Sequence, residues 1–100
     1  MHIFQDQLCG RRKNQFMKKY KLLEKALTSP RNMRFNDMVS LVEAFGFHLS
    51  RVKGSHHIFT HAQIPELVNL QEVQGYAKPY QIHQFLQLVE RYDLKLGDES

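Results

Sequence analysis

One hundred residues with 42% hydrophobic content form one core, because two cores drawn from so short a chain would each bury too little apolar surface; a large multidomain enzyme is excluded. The single cysteine, Cys9, cannot form an internal disulfide, and Met1 to Asn14 lack the apolar run of a secretory signal. No stretch approaches the ~20 apolar residues that span a bilayer, so the expectation is a cytosolic chain without a membrane segment. The formal charge of +4 suits an acidic partner, but it is unevenly placed: residues 1–34 hold nine Lys and Arg against Asp6 and Glu24, whereas residues 35–100 hold five against eight.

Residues 1–15, with Gly10 followed by Arg11, Arg12 and Lys13, show no periodicity and read as a loose basic tail. Phe16, Tyr20, Leu23 and Leu27 recur at helical spacing until Thr28, Ser29 and Pro30 stop the run, so residues 16–34 read as an N-terminal helix and linker. A second helix is expected from an N-cap at Asn36, with Met38, Val39, Leu41, Val42 and Phe45 on one face, ending at Gly46; Phe47 then folds back on Val42. Phe47 to Lys53 reads as a strand, Gly54-Ser55 as a two-residue hairpin turn with glycine first, and His56 to Ala62 as the returning strand. Pro65 marks a break, Leu67 to Val73 a third strand, and Gly75 to Lys78 a loop. Pro79 opens a last helix whose stripe is Ile82, Phe85, Leu86, Val89 and Tyr92; residues 97–100 are a polar tail.

The fold class is therefore α+β: a three-stranded antiparallel meander with helices on one face, preceded by an extra N-terminal helix. The other sheet face is left open.

Four of the six histidines, His48, His56, His57 and His61, fall on the hairpin strands. With Gly54-Ser55 as the turn, Lys53 pairs with His56, Val52 with His57, Arg51 with Ile58, and Ser50 with Phe59. Strand alternation then sets Arg51, Lys53 and His56 on one face and Val52, His57 and Phe59 on the other. Phe47 and Leu49 conflict with this sorting unless a bulge or an edge contact rescues them. Two cations and an imidazole beside a Gly-Ser turn fit phosphodiester chemistry: the cations offset developing charge, the turn amides can donate hydrogen bonds, and a neutral imidazole can take a proton from a ribose 2′-hydroxyl. The plainer alternative, packed or surface histidines, suits His57 beside Phe59 best. His57 and His61 lie ~13 Å apart along a strand, too far to share one ion, so no metal is expected.

Gly46-Phe47, Arg51, Lys53-Gly54-Ser55-His56-His57, Phe59 and His61 together resemble the HicA (YcfA-like) family of messenger-RNA-cleaving toxins, over about Phe35 to Leu94. The resemblance implies a double-stranded-RNA-binding-like α-β-β-β-α fold over a core domain of residues 35–96. It also implies metal-independent, cofactor-free endoribonuclease activity and a HicB-like antitoxin as protein partner. It makes one of His56 and His57 the catalytic residue, and the face argument selects His56. Gly54 and Ser55 match the family's hairpin glycine and serine; Arg51, Lys53, Gly54, Ser55 and Lys78 are the expected RNA contacts. The chain departs from many relatives in carrying Gln71, Glu72 and Val73 where they have a proline-histidine-proline segment, and in its basic arm and first helix. The stretch Gly75 to Tyr80, with Lys78-Pro79-Tyr80 opening the last helix, is similar to a variant branch. Lys53, His57, Tyr76 and Lys78 are candidates for a general acid. Two further readings compete with the toxin: a non-catalytic RNA-binding module of the same fold, and a protein-interaction domain.

Overall fold

A computed structural model describes residues 18–96. The tails at residues 1–15 and 97–100, together with Cys9, Phe16 and Met17, lie outside the described residues. Helix α1 covers residues 18–28 of the described chain, followed by a 3-10 turn at Pro30–Asn32, α2 at Phe35–Ala44, β1 at His48–Lys53, β2 at His56–His61, β3 at Ile64–Val73, β4 at Tyr76–Ala77 and α3 at Pro79–Arg91. No helix among these is long and apolar enough to cross a membrane.

The strands form one antiparallel sheet in the order β1-β2-β3-β4, with α2 and α3 lying over β3 and β4. The expected α+β meander with helices on one face is present, and it carries a fourth strand where Gly75 to Lys78 was read as a loop. Phe47, Phe59, Val68 and Leu70 from the sheet side meet Met38, Leu41, Val42, Ile82 and Phe85 from the helices in one buried cluster. Phe47 and Phe85 meet edge to face at 5.7 Å, as do Phe45 and Phe85 at 5.5 Å.

α1 joins this core through a face offset from its apparent stripe. Ala26 is fully buried and Leu22 and Leu23 pack partly against the cluster, whereas Tyr20 and Leu27 stay more than half exposed. Met33, just past the 3-10 turn, is also fully buried.

Asn36 does not cap α2. The N-cap is Arg34, two residues earlier, because the chain before the helix is held extended against β4: Ala77 N–H donates to Met33 O at 3.1 Å, Phe35 N–H donates to Gly75 O at 2.9 Å, and Arg34 bridges Tyr76. A tertiary contact thus satisfies the first amide, which a side-chain cap would otherwise serve. It also covers the outer edge of β4, leaving β1 as an exposed edge strand. The helix end follows expectation. Gly46 takes φ +96°, with Gly46 N–H donating to Glu43 O at 3.0 Å and Phe47 N–H to Val42 O at 3.4 Å, the paired bonds of a Schellman cap that turn Phe47 into the core.

Pro65 lies inside β3 and does not break the chain. At the far end of β3, Gln81 is buried and its Oε1 accepts Gln71 N–H at 2.7 Å. Because β4 is only two residues long, this amide oxygen stands where a neighbouring strand's carbonyl would otherwise be, and Gln71 keeps its ladder bond. The last turn of α3 is clamped to β3: Tyr92 Oη donates to Glu66 Oε1 at 2.7 Å and Arg91 Nη1 donates to Oε2 at 3.1 Å.

Two predictions follow from these contacts. A Cβ on residue 46 would sit 3.0 Å from His61 Nε2 in a backbone conformation hostile to side chains, so Gly46→Ala should cost about 1–3 kcal/mol, read as a lower urea midpoint at unchanged slope. The Tyr92 hydroxyl, with help from Arg91, holds the Glu66 carboxyl below its ordinary range. A depressed native pKa stabilises the fold above the unfolded value and loses that contribution as pH falls through the native one. Urea midpoints of Glu66→Gln should therefore decline less steeply than wild type as pH drops below the ordinary glutamate range.

Candidate RNA-cleavage site

The Gly54-Ser55 turn sets the register of the hairpin. Gly54 has φ +63° while Ser55 does not enter the left-handed region, which is the requirement of a two-residue turn with glycine first. Lys53 then pairs with His56, Val52 with His57, and Arg51 with Ile58. Between Arg51 and Leu49 the register slips at Ser50, so Leu49, and not Ser50 as an unbroken ladder would have it, pairs with Phe59, and Phe47 reaches the core. The bulge resolves the conflict between the apolar residues of β1 and its two cations.

On to β3, His56 pairs with Gln71, His57 with Leu70, Ile58 with Asn69, and Phe59 with Val68. Paired residues share a face, so Arg51, Lys53, His56, Ile58, Asn69 and Gln71 occupy the open side and His57, Phe59, Val68 and Leu70 the helix side. Arg51, Lys53, Gly54, His56, Ile58 and Asn69 line one shallow concavity on the open face. The only carboxylates on the strands, Glu66 and Glu72, belong to the helix-side row: Glu66 bonds to α3, and Glu72 pairs with buried Ala77.

The histidine doublet is thus split across the sheet. His56 is half-buried, with Nδ1 3.3 Å from Asn69 Oδ1. With that amide oxygen as acceptor, a neutral His56 ring carries its proton on Nδ1, and Nε2 is then the basic nitrogen. His57 meets the Phe35 ring edge to face at 4.8 Å, and its Nδ1–H donates to Ser55 O at 3.3 Å. His61 packs edge-on against Phe47 at 5.0 Å and accepts Gln63 N–H on Nδ1 at 3.0 Å. His57 and His61 are therefore engaged in packing and turn contacts, whereas His48 is exposed on the edge strand. Among the described residues no three His, Cys, Asp or Glu side chains gather as a metal site.

Lys78, the residue before α3, lies at the β4 edge, away from the concavity that holds Arg51 and Lys53. Sequence reasoning missed Asn69. The signal is a lone polar residue between Val68 and Leu70, which alternation assigns to the open face; its meeting with His56 needed the β2–β3 register as well.

A protein-family model described as the HicA toxin of bacterial toxin-antitoxin systems matches residues 35–87, more than half of the chain. The chain belongs to the HicA toxin family. The match runs from the first residue of α2 into α3, so it contains the hairpin and the open face and leaves out α1 and Arg34. HicA membership makes this a toxin of a toxin-antitoxin system, in a family of mRNA interferases, and implies an antitoxin partner in general terms. No curated protein and no solved structure matches the chain.

The different surroundings of the two histidines predict different stability effects. His57→Ala removes a ring pair and should cost about 0.5–1.5 kcal/mol in urea unfolding. His56→Ala removes no core contact and should stay within about 0.5 kcal/mol of wild type.

Proposed function

We propose that the chain is a metal-independent endoribonuclease toxin acting on mRNA in the cytoplasm, with His56 as general base and a HicB-like antitoxin covering the same face. The observation that carries this reading is the position of His56: on the open face, opposite Lys53, next to Arg51, with Asn69 Oδ1 accepting a hydrogen bond from Nδ1–H so that Nε2 is the nitrogen that acts as base.

In the proposed reaction Arg51 and Lys53 hold the phosphodiester and offset its developing charge, while the exposed turn at Gly54 and Ser55 lets the backbone approach closely. His56 Nε2 removes the proton of a ribose 2′-hydroxyl. The 2′-oxygen attacks the adjacent phosphorus in line, the bond to the 5′-oxygen breaks, and that oxygen leaves with a proton from a donor on the protein. The products are a 2′,3′-cyclic phosphate and a 5′-hydroxyl. Lys53 is the cross-strand neighbour of His56, with Tyr76 and Lys78 further across at the β4 edge; all three remain donor candidates. His57, on the opposite face, is a poorer one.

The test is induction of wild type, His56→Ala and His57→Ala without antitoxin, following growth, transcript integrity and the chemistry of the new ends. Wild type should arrest growth and leave cyclic-phosphate ends in the presence of chelator. His56→Ala should lose on the order of 10²–10⁴ in cleavage rate, and His57→Ala should retain activity in proportion to its folded fraction. Intact transcripts under wild-type induction would remove the enzymatic reading, and RNA binding without scission would leave the binding module in its place.

A further inference from the structure

The edge of the sheet farthest from β1 carries two cation–aromatic pairs. Arg34 Nη1 donates to Tyr76 Oη at 3.2 Å, with its Cζ 5.3 Å from the ring centroid, and Lys78 Nζ lies 5.9 Å from the Tyr80 ring centroid. Arg31, Val73, Tyr76, Lys78 and Pro79 help line a shallow concavity there.

Strand pairing ties this edge to the hairpin. Tyr76 pairs with Val73, which shares a β3 face with Gln71 and Asn69; these in turn pair with His56 and Ile58. Arg34, bridged to Tyr76, extends the same row beyond the last strand. The open face therefore runs from Arg51 and Lys53, across His56, to Tyr76 and Arg34. At ~4.8 Å per strand the four strands span ~14 Å, enough for a few nucleotides laid across them. No strand carboxylate interrupts the row, since Glu66 and Glu72 lie on the other face.

Resting on the RNA reading of the hairpin, we propose that Tyr76 and Arg34 form a base-stacking subsite that makes single-stranded RNA, not duplex, the substrate of the open face. An aromatic ring offers stacking only to a base freed from pairing, and the guanidinium over Tyr76 is itself a flat surface on which bases stack. A base stacks on that guanidinium or takes its place on the ring, and the cations Arg31 and Lys78 meet the flanking phosphates. A duplex lying on the same face would reach the cations but leave the ring unused.

The test measures binding in a His56→Ala background, so that the probe survives. Fluorescence polarisation compares a short labelled single-stranded oligoribonucleotide with the same strand annealed to its complement. Tyr76→Leu, which keeps apolar bulk, should weaken single-strand binding about tenfold and leave duplex binding unchanged. Tyr76→Phe should bind like its parent, and Arg34→Lys, which keeps charge but not the plane, should fall between. Matched urea midpoints across the series would show that folding is not the cause. Undiminished binding by Tyr76→Leu, with binding weakened by Arg51→Ala/Lys53→Ala, would overturn the stacking subsite and leave the hairpin reading standing. No RNA binding by the parent would overturn both. Loss of antitoxin binding by Tyr76→Leu with RNA affinity intact would instead make this edge a protein contact and sink the proposal.

Discussion

Two adjacent imidazoles on one strand point to opposite sides of the sheet, and the register of a two-residue turn decides which one meets solvent on the open face. Gly54 supplies the positive φ that the turn requires, which pairs Lys53 with His56 and sends His57 toward Phe35. Slipping the register by one residue would exchange the faces of the two rings, turning His56 toward the helices and His57 onto the open side. The bulge at Ser50 is the second half of the same constraint, because without it Phe47 and Leu49 would follow the cations onto the open face.

The hairpin was legible because its signals are local. Glycine followed by serine between two extended runs names the turn, alternation sorts the side chains, and the conflict between Phe47 and Lys53 calls for either a bulge or an edge contact. The Gly46 cap and Pro79 at the start of α3 were legible for the same reason. What escaped were features set by residues distant in sequence. Nothing near Tyr76 announces a strand of two residues, since its partners are Val73 across a turn and Arg34 far earlier in the chain. That contact also displaced the cap expected at Asn36. Gln81 reads as a solvent-facing helix residue until the short β4 leaves Gln71 N–H in need of an acceptor. In α1, the apolar stripe through Tyr20 and Leu27 has the right period but the wrong phase, because Ala26 is small enough to let the helix approach the core.

The same contacts connect the family core to what this chain adds. The family match begins at Phe35, yet the residues just before it zip against β4 and Met33 is fully buried. The N-terminal helix is thus packed into the core shared with α2 and α3, and Arg34, at the join, reaches the open face of the sheet.

Net charge is a poor guide to what this face attracts. From residue 35 onward carboxylates outnumber lysines and arginines, eight to five. A phosphate on the open face responds most to the exposed charges within a screening length of ~8 Å, and the strand carboxylates Glu66 and Glu72 lie on the other face of the sheet. Glu66 is further engaged by Tyr92 and Arg91, which offset part of its field at the source. Arg51 and Lys53 lie on the near side without an opposing strand carboxylate. The charged strand residues that share the open face with His56 are therefore cations although the segment that carries it is net negative, and the alternation that exposes the imidazole also assigns those cations to its side of the sheet.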